Sequence, residues 1–334
     1  MRDPVTGFEY PALWTKNCKD PRDLERIEKG LAVLTASGTV LARGYTTGTT
    51  ATAACKAAIL SLQTDQHAVT VQIPCGLIVD VPVEARKGHA SCRKFAGDYP
   101  SDVTAGIEFI AHATQTPEGV RLIPGTGIGH FARDTPRYKK GEPAISAAPL
   151  ACILAAMDEA LAVTGIPGVE VSLSAPRGEE IAEKTLNSRV GVTGGISVLG
   201  TTGLVEPWDD HLTESMEARI SASRHPVLTT GRVGLKFSRL LFPGNEVILI
   251  GGKIHEALAV AKDSVILCGL PALILRYINP QILRGTGYAT VEELSASPHF
   301  DRLVEHTLVE FQKIQPRVRV VLLNRDGFIV GESP

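Results

Sequence analysis

Two runs of small and hydroxyl-bearing residues stand out as places where chemistry could be done: Gly44-Tyr45-Thr46-Thr47-Gly48-Thr49 and Gly194-Gly195-Ile196-Ser197-Val198-Leu199-Gly200-Thr201-Thr202-Gly203. The first opens into an alanine-rich segment, Ala51 to Leu62, whose composition favours helix. A helix N-terminus leaves backbone N–H groups unpaired and carries partial positive charge, so such a loop can hold a carboxylate or phosphate. A simple threonine-capped turn accounts for the same pattern equally well. The second run, closed by Glu206-Pro207, repeats the chemistry, and two such loops reduce the chance that both are mere turns. Asp98 and Asp102 flank a further turn. They could act as acid, base or cation ligand, although a solvated or self-capped turn is the more frequent outcome for aspartate.

Arg133, Arg137, Lys139 and Lys140 form a local basic loop ahead of Gly141-Glu142-Pro143, suited to a polycarboxylate, although a charge run is more often a solvated face. Nine histidines show no metal-ligand spacing, and six cysteines form no Cys-x-x-Cys pair. No metal site is expected, and the cysteines read as buried, reduced thiols. Ser197 lacks the frame of a nucleophile elbow. No Walker A or complete G-x-G-x-x-G pattern occurs; Gly125, Gly127 and Gly129 run instead into His130.

The elements that must carry these loops follow from periodicity. The first forty residues, with Pro4, Pro11 and Pro21, predict an irregular arm that ends in a short strand around 36–42. Alternation over 69–73 and 79–83 predicts half-buried strands, with Pro82 arguing for an edge position. Strands are also expected over 106–113, 119–123 and 169–173, and helices over 147–163 and 179–186, in an antiparallel or mixed sheet. Asp209 or Asp210 can cap a helix that puts Leu212, Met216 and Ile220 on one face. Beyond it come three similar units, Val227-Leu228-Thr229-Thr230-Gly231, Val247-Ile248-Leu249-Ile250-Gly251 and Val265-Ile266-Leu267-Cys268-Gly269, each followed by a helical pattern. Continuous apolar runs with glycine at the strand-to-helix turn are what parallel βα units require, and ligands sit outside the carboxyl ends of such strands. A last strand is expected over 318–323. The fold class is therefore α+β / α/β: a mixed α+β domain over 1–225 carrying the Thr/Gly loops, then a Rossmann-like parallel α/β domain over 226–334.

At 334 residues, 44% hydrophobic and 21% charged, the chain can bury ample apolar surface, which excludes disorder. A formal net charge of −2 gives no field for steering towards nucleic acid or an anionic membrane. No basic-then-apolar leader is present, and the apolar stretches fall short of a bilayer span, so a cytoplasmic location is expected.

Several motifs occur together and in one order: Arg43 to Thr49; Gly97-Asp98 through Asp102-Val103-Thr104; Gly141-Glu142-Pro143-Ala144-Ile145; Gly178-Glu179-Glu180-Ile181-Ala182; Asn187; Gly194 to Pro207; and Val227 to Gly231. In this series the chain resembles the CbiD family, cobalt-precorrin-5B C1-methyltransferases of anaerobic cobalamin biosynthesis, over roughly residues 40 to 260. Where that family usually has cysteine after Thr-Gly-Thr, this chain has Thr50, and Cys268-Gly269-Leu270-Pro271-Ala272 replaces a glycine-, histidine- and lysine-bearing motif. The resemblance implies methyl transfer from S-adenosylmethionine to carbon 1 of a polycarboxylate cobalt corrinoid, giving cobalt-precorrin-6A, with cobalt belonging to the substrate. It implies no nucleic-acid or membrane partner, and it is compatible with a homo-oligomer and with transient contacts to neighbouring pathway enzymes. On this reading Thr46, Thr47, Gly48, Thr49, Arg133, Gly194, Gly195, Gly200, Thr201, Thr202 and Gly203 line the substrate cleft. Thr229, Thr230, Gly231, Gly251 and Gly252 receive the donor, and Asp98, Asp102, Glu142 and Glu206 orient substrate or accept a proton. A corrinoid-binding paralogue without catalysis, handing an intermediate to a partner enzyme, is the alternative. A nicotinamide-dependent reductase is a third, weakened by the missing glycine fingerprint.

Overall fold

A computed structural model describes residues 1–99, 102–134, 138–185, 187–188, 191–207 and 216–334. Its larger sheet has six strands in the order Gln66–Gln72, Ile78–Arg86, His89–Arg93, Glu108–Gln115, Gly168–Ser174 and Gly119–Pro124. All neighbours run antiparallel except the last pair, which is parallel, so the sheet is mixed. Alternation decides which face is buried: Val69, Val71, Val79, Val81 and Val83 point inward while Thr70, Asp80 and Glu84 face water.

Two helices, Thr47–Leu60 and Ala147–Thr164, cover the apolar face. Apart from Lys56, which reaches out to Glu159, the first is apolar or small on every side and is buried nearly throughout, as a helix with no polar stripe must be. Against the expectation that every apolar stretch falls short of a bilayer span, the second has the length and apolar composition of one. Asp158 and Glu159 interrupt its outer side, while Ile153, Met157 and Ala160 pack inward. Gly165, at φ 69°, ends it in the left-handed conformation.

Pro82 lies in the second strand of the order, not at an edge. The ring is tolerated because the neighbouring strand His89–Arg93 pairs only with Glu84–Arg86, and the register towards Gln66–Gln72 shifts close to Ala68, which faces Pro82.

The second sheet runs Val247–Leu249, Val227–Thr229, Val265–Gly269, Val318–Leu323, Ile329–Glu332. Its first four strands are parallel and the last is antiparallel. The chain leaves Val227–Thr229 for one neighbour and later returns to the other, so the switch in strand order falls between Val227–Thr229 and Val265–Gly269. Helices Arg232–Leu241, Ile254–Val260, Pro271–Ile278 and Phe300–Ile314 follow or connect these strands.

The arm is more ordered than expected. It holds helices Ala12–Asn17 and Pro21–Glu28, the latter capped by Asp20 with Pro21 as its first residue, an arrangement that suits proline's fixed φ. Of the strand expected over 36–42 only Val40–Ala42 forms, as the second strand of a hairpin with Ala32–Leu34. Tyr10, Trp14, Ile27 and Leu34 share one core with Val227, Leu235, Phe237, Leu240, Cys268 and Val321. The arm folds because the parallel sheet offers it an apolar surface. The helix expected over 179–186 spans Gly178–Ala182. Asp209, Asp210, Leu212 and Arg137 lie outside the described residues.

Candidate active site

The two Gly/Thr loops interlock. Thr46 caps the Thr47–Leu60 helix by accepting from the Thr49 amide at 3.2 Å, and its own N–H donates to the Gly203 carbonyl at 3.1 Å. Thr47 Oγ1 donates to the Ser197 carbonyl and accepts from the Leu199 N–H, both at 2.9 Å. The Gly48 N–H reaches the Leu199 carbonyl at 3.0 Å, and Thr49 Oγ1 donates to Gly203 O at 2.6 Å. Thr50 donates its hydroxyl to the Thr46 carbonyl at 2.8 Å. Thr46, Thr47, Gly48 and Thr49 are all buried. Their polar groups fix the second loop rather than face solvent.

The fit is close at Gly200, whose φ is 143° and where a Cβ would lie 2.3 Å from Thr46 Oγ1. Gly195 and Gly203 are buried, Gly200 and Thr202 are half-buried, and Thr201, Leu199 and Gly194 face outward. Asn187, a motif residue given no role from sequence, ties down the loop's start. Its Nδ2 donates to Gly195 O at 3.0 Å and its Oδ1 accepts from Ser197 Oγ at 3.1 Å.

The four candidate carboxylates do not converge. Asp98 accepts from the Ala42 N–H at 2.7 Å. Asp102 pairs with the buried Lys94 and accepts from both the N–H and the hydroxyl of Thr104. Glu142 is exposed and accepts from the Lys139 N–H at 3.0 Å. Glu206 accepts from Arg43 Nε at 2.8 Å.

Arg133, also exposed, lies on the same loop as Glu142, next to the strand pair His130–Phe131 and Val192–Thr193; the Ala132 N–H donates to Gly191 O at 2.8 Å. This brings Arg133 and Glu142 to the side of the second Gly/Thr loop where it begins. Phe131 stacks on Tyr138 within the loop, ring centroids 4.4 Å apart.

Thr229, Thr230 and Gly231 end one parallel strand beside Gly251 and Gly252, which end its neighbour. Gly269, the glycine of the third βα unit, ends the strand on the other side. Thr229 Oγ1 is fully buried and has no hydrogen-bond partner among the described residues. It sits against Gly234, where a Cβ would come within 2.1 Å of it. Gly231 starts the Arg232–Leu241 helix with no side-chain cap, and a Cβ there would meet nothing within 4 Å, among the described residues. These turns lie at the carboxyl ends of the parallel strands, beside a helix N-terminus and at the switch in strand order, where such folds bind ligands.

Sequence reasoning also missed Asp3. It lies in the arm, forty residues before Arg43, and nothing in its local sequence marks it. Arg43 is fully buried and donates from Nη1 and Nη2 to Asp3 Oδ1 and Oδ2 at 3.0 and 2.6 Å. Burial alone would raise the Asp3 carboxyl, but the hydrogen bond and charge of Arg43, with Thr6 and the Val5 N–H, outweigh it and hold the pKa below the ordinary 3.8.

A family model described as CbiD matches residues 34–207. A protein named cobalt-precorrin-5B C(1)-methyltransferase from Methanoregula boonei is 66% identical over 334 residues, covering 100% of both chains. One of the same name from Methanoculleus marisnigri is 57% identical over 337 residues, again covering 100% of each. The crystal structure of a cobalamin biosynthesis protein (cbiD) from Archaeoglobus fulgidus superposes with a TM-score of 0.56 at 39% identity, covering 83% of this chain and 92% of that one.

Proposed function

The chain belongs to the CbiD family, and from that premise we propose that it transfers a methyl group from S-adenosylmethionine to carbon 1 of cobalt-precorrin-5B, giving cobalt-precorrin-6A. The observation that carries this reading is full-length identity of 66% to a relative named for that methylation. A sulfonium donor, when bound, supplies an already activated methyl group, so the protein has no need of a covalent nucleophile. Its task is to hold donor and acceptor carbon in line, which can contribute about 7–11 kcal/mol in favourable cases.

The carboxyl edge of the parallel sheet fits such a donor. Among the described residues, an orphaned buried hydroxyl at Thr229, an uncapped helix N-terminus at Gly231 and open space beside it match a ligand with a carboxylate and a hydroxyl-rich edge. Thr229, Thr230 and Gly231 would hold it, with Gly251 and Gly252 at the adjoining strand end. The substrate's carboxylates are met by local groups: Arg133 and the outward-facing Gly194 and Thr201 of the second loop. The buried Thr46, Thr47, Gly48 and Thr49, with Gly195, Gly200, Thr202 and Gly203, shape the floor. Asp98, Asp102 and Glu206 hold loops in place, which leaves the exposed Glu142 as the carboxylate able to orient substrate. The reaction belongs to a soluble enzyme of the cytoplasm.

The test is anaerobic incubation with cobalt-precorrin-5B and methyl-labelled S-adenosylmethionine, followed by mass spectrometry. One labelled methyl on the macrocycle is expected. Corrinoid binding without label transfer would overturn the reading and leave a non-catalytic carrier.

A further inference from the structure

The two-rung ladder that joins the Gly/Thr loops pairs Leu204 with Tyr45 and Val205 with Gly44. The next pair in that register is Glu206 with Arg43, and these two are joined by the Nε–Oε2 ion pair. We propose that Arg43 and Glu206 are positioning residues for the transfer, a side-chain rung that holds the interlocked loops in register with the parallel-sheet half.

The Arg43 side chain is fully buried, so it acts only through others. Nε donates to Glu206, while Nη1 donates to the carbonyls of Gly30 and Ala32 as well as to Asp3. Gly30, Ala32 and Asp3 all belong to the arm, and the arm's core is shared with the parallel sheet and the Arg232–Leu241 helix. On the far side of Glu206, the Pro207 carbonyl accepts from Arg239 Nη1 at 2.9 Å. Arg239 lies on that same helix, which begins at Gly231. Lys236, between them, sets its ammonium over the Phe8 and Phe237 rings at 5.4 and 5.0 Å. Two routes thus lead from the loop base to the helix that starts at the proposed donor turn, and both pass through the Arg43–Glu206 rung or its immediate neighbour. Buried ion pairs are poor stabilisers compared with apolar replacements, and their best-attested use is to fix register. A misplacement of about 1 Å between reacting groups can cost on the order of 100-fold in rate.

The catalytic consequence rests on the methyltransferase reading, and two independent readouts keep the ideas separable. Glu206→Gln keeps the shape and removes the charge. Its kcat is expected to fall roughly 10- to 100-fold, with the KM for S-adenosylmethionine held within about twofold. Amide hydrogen exchange is expected to quicken in 44–49 and 194–205 of the full chain, while the Gln66–Gln72 and Gly168–Ser174 strands stay as protected as in the parent. Unchanged kcat per folded molecule, or unchanged exchange in both loops, overturns the proposal. If the parent protein transfers no methyl group, the function reading fails on its own, and loop exchange alone then decides the positioning role. If Glu206→Gln does not fold, Glu206→Asp, which keeps the charge but shortens the reach, is put through both measurements and read in the same way.

Discussion

At Gly200 the second loop touches the first: no side chain fits there, because a Cβ would lie 2.3 Å from Thr46 Oγ1. Gly200→Ala is expected to lower stability by about 1–3 kcal/mol, the usual cost of overpacking, as a fall in the urea midpoint at constant slope. Asp3 gives a prediction with a sign. Its carboxyl titrates below the ordinary 3.8 in the folded chain, so its contribution is present above that value and is lost as pH falls through the lower folded pKa. Urea midpoints measured from neutral pH down to about pH 3 should show this loss for the parent. Asp3→Asn should be weaker by about 3–5 kcal/mol at neutral pH, with a shallower decline into acid. Equal acid slopes for the two proteins would remove Asp3 from the account. The residue scale was only partly legible. The threonine and glycine runs announced themselves by type and spacing, but whether their hydroxyls face a ligand or each other depends on a contact between segments about 150 residues apart. Asp3 carried no signal, because an isolated aspartate in an arm gains meaning only from the buried guanidinium it meets.

The elements were easier to read where local pattern and tertiary environment agree. Val227-Leu228-Thr229, Val247-Ile248-Leu249 and Val265-Ile266-Leu267-Cys268-Gly269 became parallel strands because continuous apolar runs suit burial on both faces. Pro82 misled because its edge signal assumes ladder bonds on both sides, and here one neighbour stops at Glu84. The switch between Val227–Thr229 and Val265–Gly269 was not legible, since strand order is set by packing and not by sequence adjacency. It is this order that leaves Thr229 Oγ1 buried and, among the described residues, unpaired. Thr229→Val, nearly isosteric, should therefore move two observables in opposite directions. Stability without ligand should rise by about 1–3 kcal/mol as an unsatisfied hydroxyl is removed. Affinity for S-adenosylhomocysteine, read by calorimetry, should fall roughly 2- to 12-fold, the equivalent of one net hydrogen bond. A variant that is more stable and binds equally well would place the donor elsewhere.

On the scale of the whole molecule, three apolar cores divide the chain in a way that composition could not reveal. One lies between the six-stranded sheet and its two helices, one lies on the outer side of the parallel sheet, and one joins the arm to that sheet's other side. The buried thiols label two of them. Cys55 and Cys92 sit in the first core and Cys268 in the third, and burial pushes each thiol up to about 12. Alkylation of the native protein at mildly alkaline pH should therefore reach the half-buried Cys18, Cys75 and Cys152 and spare the other three. The arm's aromatic cluster gives the sharper test. Phe8, Tyr10, Trp14 and Phe237 pack together, with Phe8 and Phe237 ring centroids 5.3 Å apart. Trp14→Ala should cost about 3–5 kcal/mol in the core it belongs to. Pulse labelling along a urea gradient would then find Cys268 reactive at lower urea than in the parent, while Cys55 and Cys92 keep their parental midpoint. If all three thiols shifted together, the arm core and the sheet–helix core would be one cooperative unit, and the arm would stabilise the Gly/Thr loops directly rather than through the parallel sheet.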